Sequence, residues 1–423
     1  MARQTVVKMT MKKGKLPMAQ DWKVDLVWER DWNLGLVGRT LNELGFLGTL
    51  YGGFPRYRYQ RLGIPNEKIR TRPAAALWNY GISQLKLPAY LQMNEPKRMG
   101  EWVARQRQHA PAVLVNGTAY RFLFPKILDR PILRIVERGS MFPEDFFRFP
   151  QKARQEAGYS YKNELPLEIV DEMKKAHLAQ ATICGSDMVR QSYLTRGFQP
   201  ETLYTAHYGV RLGRQLKAKH EDPAGRNLRV GWLGVIGFRK GLDRARRISE
   251  WANQRNISLE FHFVGPIQDS ESHEILRKFL CPYILHGVQK GAELEKLIQS
   301  WDIYIQPSYE EGFPISLLIS MSAGVPAIVS HDTGACEAVR DSIDGVVLSE
   351  YTPKYLDHKL AALVKSQSLR IESGFQAKKR ISENFTVSNY MERIKQIHLI
   401  LQKQRALWRE FIRRESEARR VIQ

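Results

Sequence analysis

At 423 residues the chain exceeds what one ordinary hydrophobic core supports and suits two domains. An apolar content of 43% with 10% aromatic residues excludes a disordered or collagen-like chain, and no run approaches the roughly 20 apolar residues of a membrane span. The formal charge of +21 points to one of three partners: nucleic acid, an anionic membrane face, or an anionic substrate.

Residues 1–20 form a basic tail carrying Arg3, Lys8, Lys12, Lys13 and Lys15 without an acid, and they lack the apolar middle of a secretory signal. A cytoplasmic location is expected. Cys184, Cys281 and Cys336 are an odd number, far apart and in no metal-ligand spacing, so they read as buried free thiols.

From 21 to 210, short β-branched or aromatic runs alternate with longer mixed stretches. Trp22 to Trp28, Ala112 to Val115 and Ile132 to Val136 read as buried strands. Glu168 to Ala181 reads as a helix, with Ile169, Met173, Ala176, His177 and Gln180 on one side. This alternation predicts an α/β domain with a parallel sheet covered on both faces. Residues 211–227 turn charged around Asp222-Pro223-Ala224-Gly225, the composition of an interdomain linker.

A second doubly wound unit is predicted over 228–395. Its strands are Leu228 to Leu233, Leu259 to Val264, Tyr283 to Leu285, Ile303 to Ile305, Ala327 to Val329 and Val346 to Leu348. Leu242 to Asn256, Ala292 to Ser300 and Tyr355 to Lys365 are helical between them. From Val387 to Glu417 the spacing of Tyr390, Ile394, Ile397, Leu401, Leu407 and Phe411 predicts one long amphipathic helix. Its end, 396–423, is basic: a solvated face or a membrane-surface element.

Strand Ile303 to Ile305 runs into the loop Gln306 to Phe313, then Pro314 and a helix from Ile315 to Ala323 that Gly324 stops. The backbone N–H groups of Gly312, Phe313 and the residues after them have no intrahelical partners and favour an anion such as phosphate. Gly312 permits close approach. Glu311, an anion itself, suits hydroxyl groups instead. The combination suggests a phosphorylated sugar.

The segment Pro307-Ser308-Tyr309-Glu310-Glu311-Gly312-Phe313-Pro314, continued by Leu317-Leu318-Ile319-Ser320-Met321-Ser322-Ala323-Gly324-Val325-Pro326, resembles the donor-binding signature of the retaining GT-B glycosyltransferases of family 4. Thr333-Gly334-Ala335-Cys336-Glu337 and Asp344-Gly345 follow in register. Val230 to Gly234, with Gly237 and Phe238-Arg239-Lys240-Gly241, is similar to the family's first strand of this domain and the turn after it. Some bacterial members that build surface polysaccharides have a segment like Glu137-Arg138-Gly139-Ser140.

The resemblance implies a GT-B fold, two Rossmann-like domains facing across a cleft with a C-terminal amphipathic helix. It also implies a hexosyltransferase that takes a nucleotide diphosphate sugar, works with retention and transfers to a glycan or lipid-linked acceptor. Glu311, Arg239 and Lys240 are then the expected catalytic residues, with Gly312, Phe313, Pro314, Ser316, Leu317, Ile319, Ser320, Gly234 and Gly237 around the donor. Arg138, Gly139 and the loop after Val27 are acceptor-side candidates. No metal or other cofactor is expected, because two cations and a helix N-terminus can stabilise the leaving diphosphate.

The family usually has a second glutamate where Ile319 stands, thought to hold the ribose hydroxyls. Isoleucine accepts no hydrogen bond. The ribose is then held by Ser316 or Ser320, or the donor binds weakly, or the chain is a catalytically impaired GT-B scaffold. Nucleic-acid binding is the remote alternative, since no binding module is recognisable and the aromatic residues follow core spacing. The basic tails are consistent with the inner face of an anionic membrane.

Overall fold

In the computed structural model, residues 22–28, 36–85, 92–212 and 225–422 are described. The basic amino-terminal tail, the loop after Trp28 and linker residues 213–224 lie outside them, as do the side chains from 406 onward.

Two fully parallel sheets organise the chain. The first consists of β1 (Val24–Trp28), β2 (Leu47–Gly52), β3 (Ile69–Thr71), β4 (Ala112–Asn116), β5 (Leu133–Arg138), β6 (Ala181–Cys184) and β7 (Leu203–Thr205), in the order β3-β2-β1-β4-β5-β6-β7. The second consists of β8 (Leu228–Leu233), β9 (Leu259–Val264), β10 (Tyr283–Leu285), β11 (Ile303–Gln306), β12 (Ala327–Ser330) and β13 (Gly345–Leu348), in the order β10-β9-β8-β11-β12-β13. In both, strand order reverses beside the first strand, and such a switch point opens a crevice at the carboxyl ends of the strands. Central strands β1 and β4 are buried along their whole length, which is why they read as continuous apolar runs rather than alternating ones. This is the GT-B arrangement of two Rossmann-like domains.

The helix expected over Glu168 to Ala181 is instead Leu167–Ala176, and the chain turns and enters β6 at Ala181. Thr182-Ile183, β-branched and buried between β5 and β7, favours the sheet over another helical turn. Glu172, rather than an apolar residue, is the charged member of the buried face, where it pairs with Arg138 at 2.7 Å.

The long final helix, Val387–Ile422, belongs by packing to the first domain. Tyr390, Ile394, Ile397 and Leu401 are buried in the same apolar cluster as Trp22, Phe46 and Leu41. Tyr390 also donates its hydroxyl to Glu137 at 2.9 Å. The chain therefore crosses between domains twice, and the crossings lie side by side: Val210 N–H donates to Phe385 O at 2.9 Å and Val387 N–H to Val210 O at 3.2 Å. Gly209 makes this possible, because a Cβ there would sit 2.1 Å from Thr386 O. Among the described residues no helix is long and apolar enough to cross a membrane.

Cys184 and Cys281 are buried and Cys336 half-buried, all free thiols. Burial pushes the Cys184 thiol up to about 12.

Candidate active site

The site lies where the carboxyl ends of β8 and β11 meet the first domain. After β8, Gly234 takes φ +137°, with open space where a Cβ would stand, and the chain reaches the turn Phe238–Lys240. Gly237, by contrast, is extended and covered, since a Cβ would meet Gln268 Oε1 at 2.2 Å. Gly241 has φ +82° and is seated so closely on Pro307 O that a Cβ would come within 2.0 Å. A side chain there is excluded on both counts. Tyr309 N–H donates to Arg239 O at 2.9 Å, so the turn and the loop after β11 are joined as one unit. Arg244 supports the loop from below, donating to Ser308 O at 2.8 Å with its guanidinium 3.8 Å from the Tyr309 ring.

This unit brings two cations onto two carboxylates. Lys240 Nζ pairs with Glu311, and Arg239 pairs with Glu310 at 2.7 Å and donates to Glu310 O at 2.9 Å. Burial, reinforced by the adjacent guanidinium of Arg239, pulls the Lys240 ammonium below its ordinary range, with Glu310 opposing. Gln306 donates to Glu311 at 3.4 Å, while Tyr304, Gln306 and Ser316 bond to one another at 2.8 to 3.2 Å. A recess of about 160 Å³ between the ends of β8 and β11 is lined by Trp232, Leu233, Lys240, Tyr304, Ile305, Gln306 and Ser308.

Helix Ile315–Ser322 begins directly after the loop, and no side chain caps it at Pro314. Its first N–H groups are left for a ligand. Phe313 is buried against His207 and Phe385, with ring centroids 4.8 and 5.3 Å away, so it offers a ligand its backbone and not its ring. Leu317 is buried in the core and Ile319 is half-buried against it. Ser320 is fully buried and donates to Ser316 O at 3.0 Å, an intrahelical bond that turns its hydroxyl away from the crevice. Of the two serines suggested as ribose partners, Ser316 is the accessible one, and its hydroxyl already joins Tyr304 and Gln306.

The first domain closes on this loop. Gly139 does face Gly312: a Cβ on Gly312 would lie 1.9 Å from Gly139 O, and one on Gly334 would lie 1.5 Å from Gly312 O. Arg138 faces the other way. Its guanidinium is buried within the first domain against Glu172 and 5.8 Å from the Tyr120 ring centroid, so it contributes no free cation to the crevice.

Two residues without an assigned role in the sequence reading carry the closure. Glu310, fully buried, accepts the Met141 N–H of the first domain at 3.2 Å with one oxygen while the other holds Arg239. Glu337 accepts the N–H groups of Asp187 and Met188 at 2.9 and 2.7 Å, capping helix Asp187–Leu194 from across the interface, and meets His207 at 2.6 Å. Asp187, His207 and Glu337 are also a potential metal-binding group among the described residues. Both Glu337 oxygens already serve the helix N-terminus, which accounts for the cluster without an ion. A second acid beside Glu311 was the available signal for Glu310; Glu337 shows its role only across the interface.

Residues 217–380 match the model of the family described as glycosyl transferases group 1. The carboxy-terminal domain is a group 1 glycosyltransferase domain. The chain is 29% identical over 146 residues to N,N'-diacetylbacillosaminyl-diphospho-undecaprenol alpha-1,3-N-acetylgalactosaminyltransferase of Campylobacter jejuni, covering 34% of this chain and 39% of that protein. The chain is also 31% identical over 156 residues to D-inositol 3-phosphate glycosyltransferase of Salinispora arenicola, covering 36% of this chain and 30% of that protein. The chain thus spans well under half the length of these relatives. Among solved structures, sucrose-phosphate synthase from Thermosynechococcus elongatus is similar with TM-score 0.63 at 14% identity, covering 90% of this chain and all of that one. Anabaena HepE in complex with UDP is similar with TM-score 0.61 at 12% identity, covering 89% and 99%. These likenesses extend the fold, though not the activity, beyond the group 1 domain to about nine-tenths of the chain.

Proposed function

We propose that the protein is a retaining hexosyltransferase that uses a nucleotide diphosphate sugar and acts on a glycan or lipid-linked acceptor. The observation that carries this reading is the pairing of Arg239 and Lys240 with Glu310 and Glu311 beside the uncapped helix Ile315–Ser322. On donor binding the diphosphate takes Lys240 and the helix N–H groups, and Glu311, released from Lys240, accepts hydrogen bonds from sugar hydroxyls. Glu310 stays buried and keeps Arg239 aimed at the diphosphate.

In the reaction the bond between the anomeric carbon and the leaving phosphate oxygen breaks. The bond to the acceptor oxygen forms on the same face, and the acceptor proton passes to that phosphate oxygen. Developing negative charge is met by Arg239, Lys240 and the Gly312 and Phe313 amides, so the scheme calls for neither a protein base nor a metal ion. The C. jejuni relative is named for a diphospho-undecaprenol acceptor, which supports a lipid-linked acceptor here. Glu311→Ala is expected to abolish transfer from a panel of nucleotide sugars; full transfer by that variant would overturn the assignment.

Ile319, apolar where the family has a ribose-binding glutamate, favours a second reading: a noncatalytic GT-B partner protein. Calorimetry with nucleoside diphosphates separates the two. Binding to none of them supports the scaffold.

A further inference from the structure

Helix Ala74–Gln84 of the first domain is inside out. Its buried side is a narrow seam of Ala75, Asn79 and Ile82, and the polar member is pinned inward, Asn79 exchanging hydrogen bonds with the Met93 backbone at 2.7 and 3.0 Å. Its outward side carries Leu77, Trp78 and Tyr80, which are 55%, 50% and 65% exposed, and Leu85 just past its end is 72% exposed. At the helical pitch of about 100° per residue these side chains form one continuous arc. Gly81 lies within the arc, and a Cβ there would meet nothing within 4 Å.

The exposed charges nearest the helix in sequence are basic. No acid occurs between Glu67 and Glu95, and exposed Arg70 and Arg72 precede the helix. Exposed Lys97 and Arg98 lie on the next helix, Glu95–Ala104, which packs against it. An aqueous surface does not favour a Leu-Trp-Tyr arc on a convex helix, whereas the interfacial zone of a bilayer suits amphipathic rings flanked by arginine and lysine. The arc is no groove for a peptide. Its cationic rim complements anionic headgroups. The helix follows edge strand β3 and so starts at the carboxyl end of the sheet, the end that faces the other domain.

We propose that helix Ala74–Gln84 docks the first domain onto an anionic bilayer, with Leu77, Trp78, Tyr80 and Leu85 entering the interface and Arg70, Arg72, Lys97 and Arg98 at the headgroups. This deepens the reading of a membrane-linked acceptor, yet its test needs neither donor nor transfer.

The full chain and the variant Leu77→Ser/Trp78→Ser/Tyr80→Ser are sedimented with vesicles of phosphatidylcholine alone or with added phosphatidylglycerol, at low and high salt. The parent is expected to bind phosphatidylglycerol vesicles in a salt-weakened manner, and the triple variant, with unchanged circular dichroism, at least about tenfold more weakly. Arg70→Ser/Arg72→Ser should weaken the salt-sensitive part, leaving what Lys97 and Arg98 supply. Equal binding by parent and triple variant would assign the affinity to the basic tails and overturn the proposal. So would failure of the parent to bind, or a doubling of parent mass in sedimentation equilibrium that the triple variant abolishes, which would make a second copy the occupant.

Discussion

His398 should make the attachment of the final helix sensitive to acid. It is fully buried on helix Val387–Ile422, 6.2 Å by ring centroid from both Trp22 and Phe46, and neither ring nitrogen has a hydrogen-bond partner among the described residues. Burial lowers its pKa from 6.5 to about 4. Between these two values the unfolded chain binds a proton that the native protein does not, so native stability falls as pH drops from 6.5 towards 4 and then levels off. A shift of this size corresponds to about 3 kcal/mol. In His398→Leu the two unsatisfied nitrogens are gone, and each costs on the order of 1–3 kcal/mol when buried. The variant should therefore be no less stable than the parent at neutral pH and more stable at pH 4. Urea unfolding of both proteins across this range isolates the residue, because protonation of carboxylates is common to both. The stability difference should grow by about 3 kcal/mol between pH 6.5 and 4. A difference that does not change with pH would refute the reasoning.

Gly312→Ala places a methyl group against the Gly139 carbonyl, and with backbone on both sides the domains must part. Overpacking of this kind costs about 1–3 kcal/mol. Transfer should fall accordingly and the radius of gyration by small-angle scattering should rise; an unchanged radius would contradict the contact. Glu310→Ala leaves Arg239 without its carboxylate and Met141 N–H without its acceptor, so the donor KM should rise and kcat fall together, each about tenfold. Parental kinetics would remove Glu310 from the site. Glu337→Gln retains an acceptor oxygen but removes the charge at the N-terminus of helix Asp187–Leu194, worth about 1 kcal/mol. Amide exchange at Asp187 and Met188 should quicken about fivefold, and unaltered protection would count against the cap.

What could be read from the sequence followed the range of the forces involved. Strands such as β4 and β11 are buried on both faces, so their apolar runs report the parallel sheets directly. The loop, its proline and the helix that Gly324 ends with φ +79° are likewise fixed by neighbours in sequence. Position on a helix says little about direction: Ser316 and Ser320 are one turn apart, yet the second is spent on the first one's carbonyl. Arg138 next to Gly139 suggested a pair facing the crevice, but Arg138 ends β5 with its guanidinium drawn by Glu172 into the first domain, while Gly139, past the strand end, meets Gly312 through its backbone.

The closure itself rests on contacts between residues 139 and 312, 141 and 310, and 187 and 337, none of which any local pattern pairs. Those contacts also bear on Ile319. A ribose-binding glutamate serves affinity at a distance from the breaking bond, whereas Glu310 joins Arg239 to the opposing domain and Gly312 lies against its backbone. If binding energy is spent on closure rather than on the ribose, losing the glutamate weakens the donor complex while leaving the reacting groups aligned. A high donor KM with ordinary kcat is the kinetic signature of that arrangement.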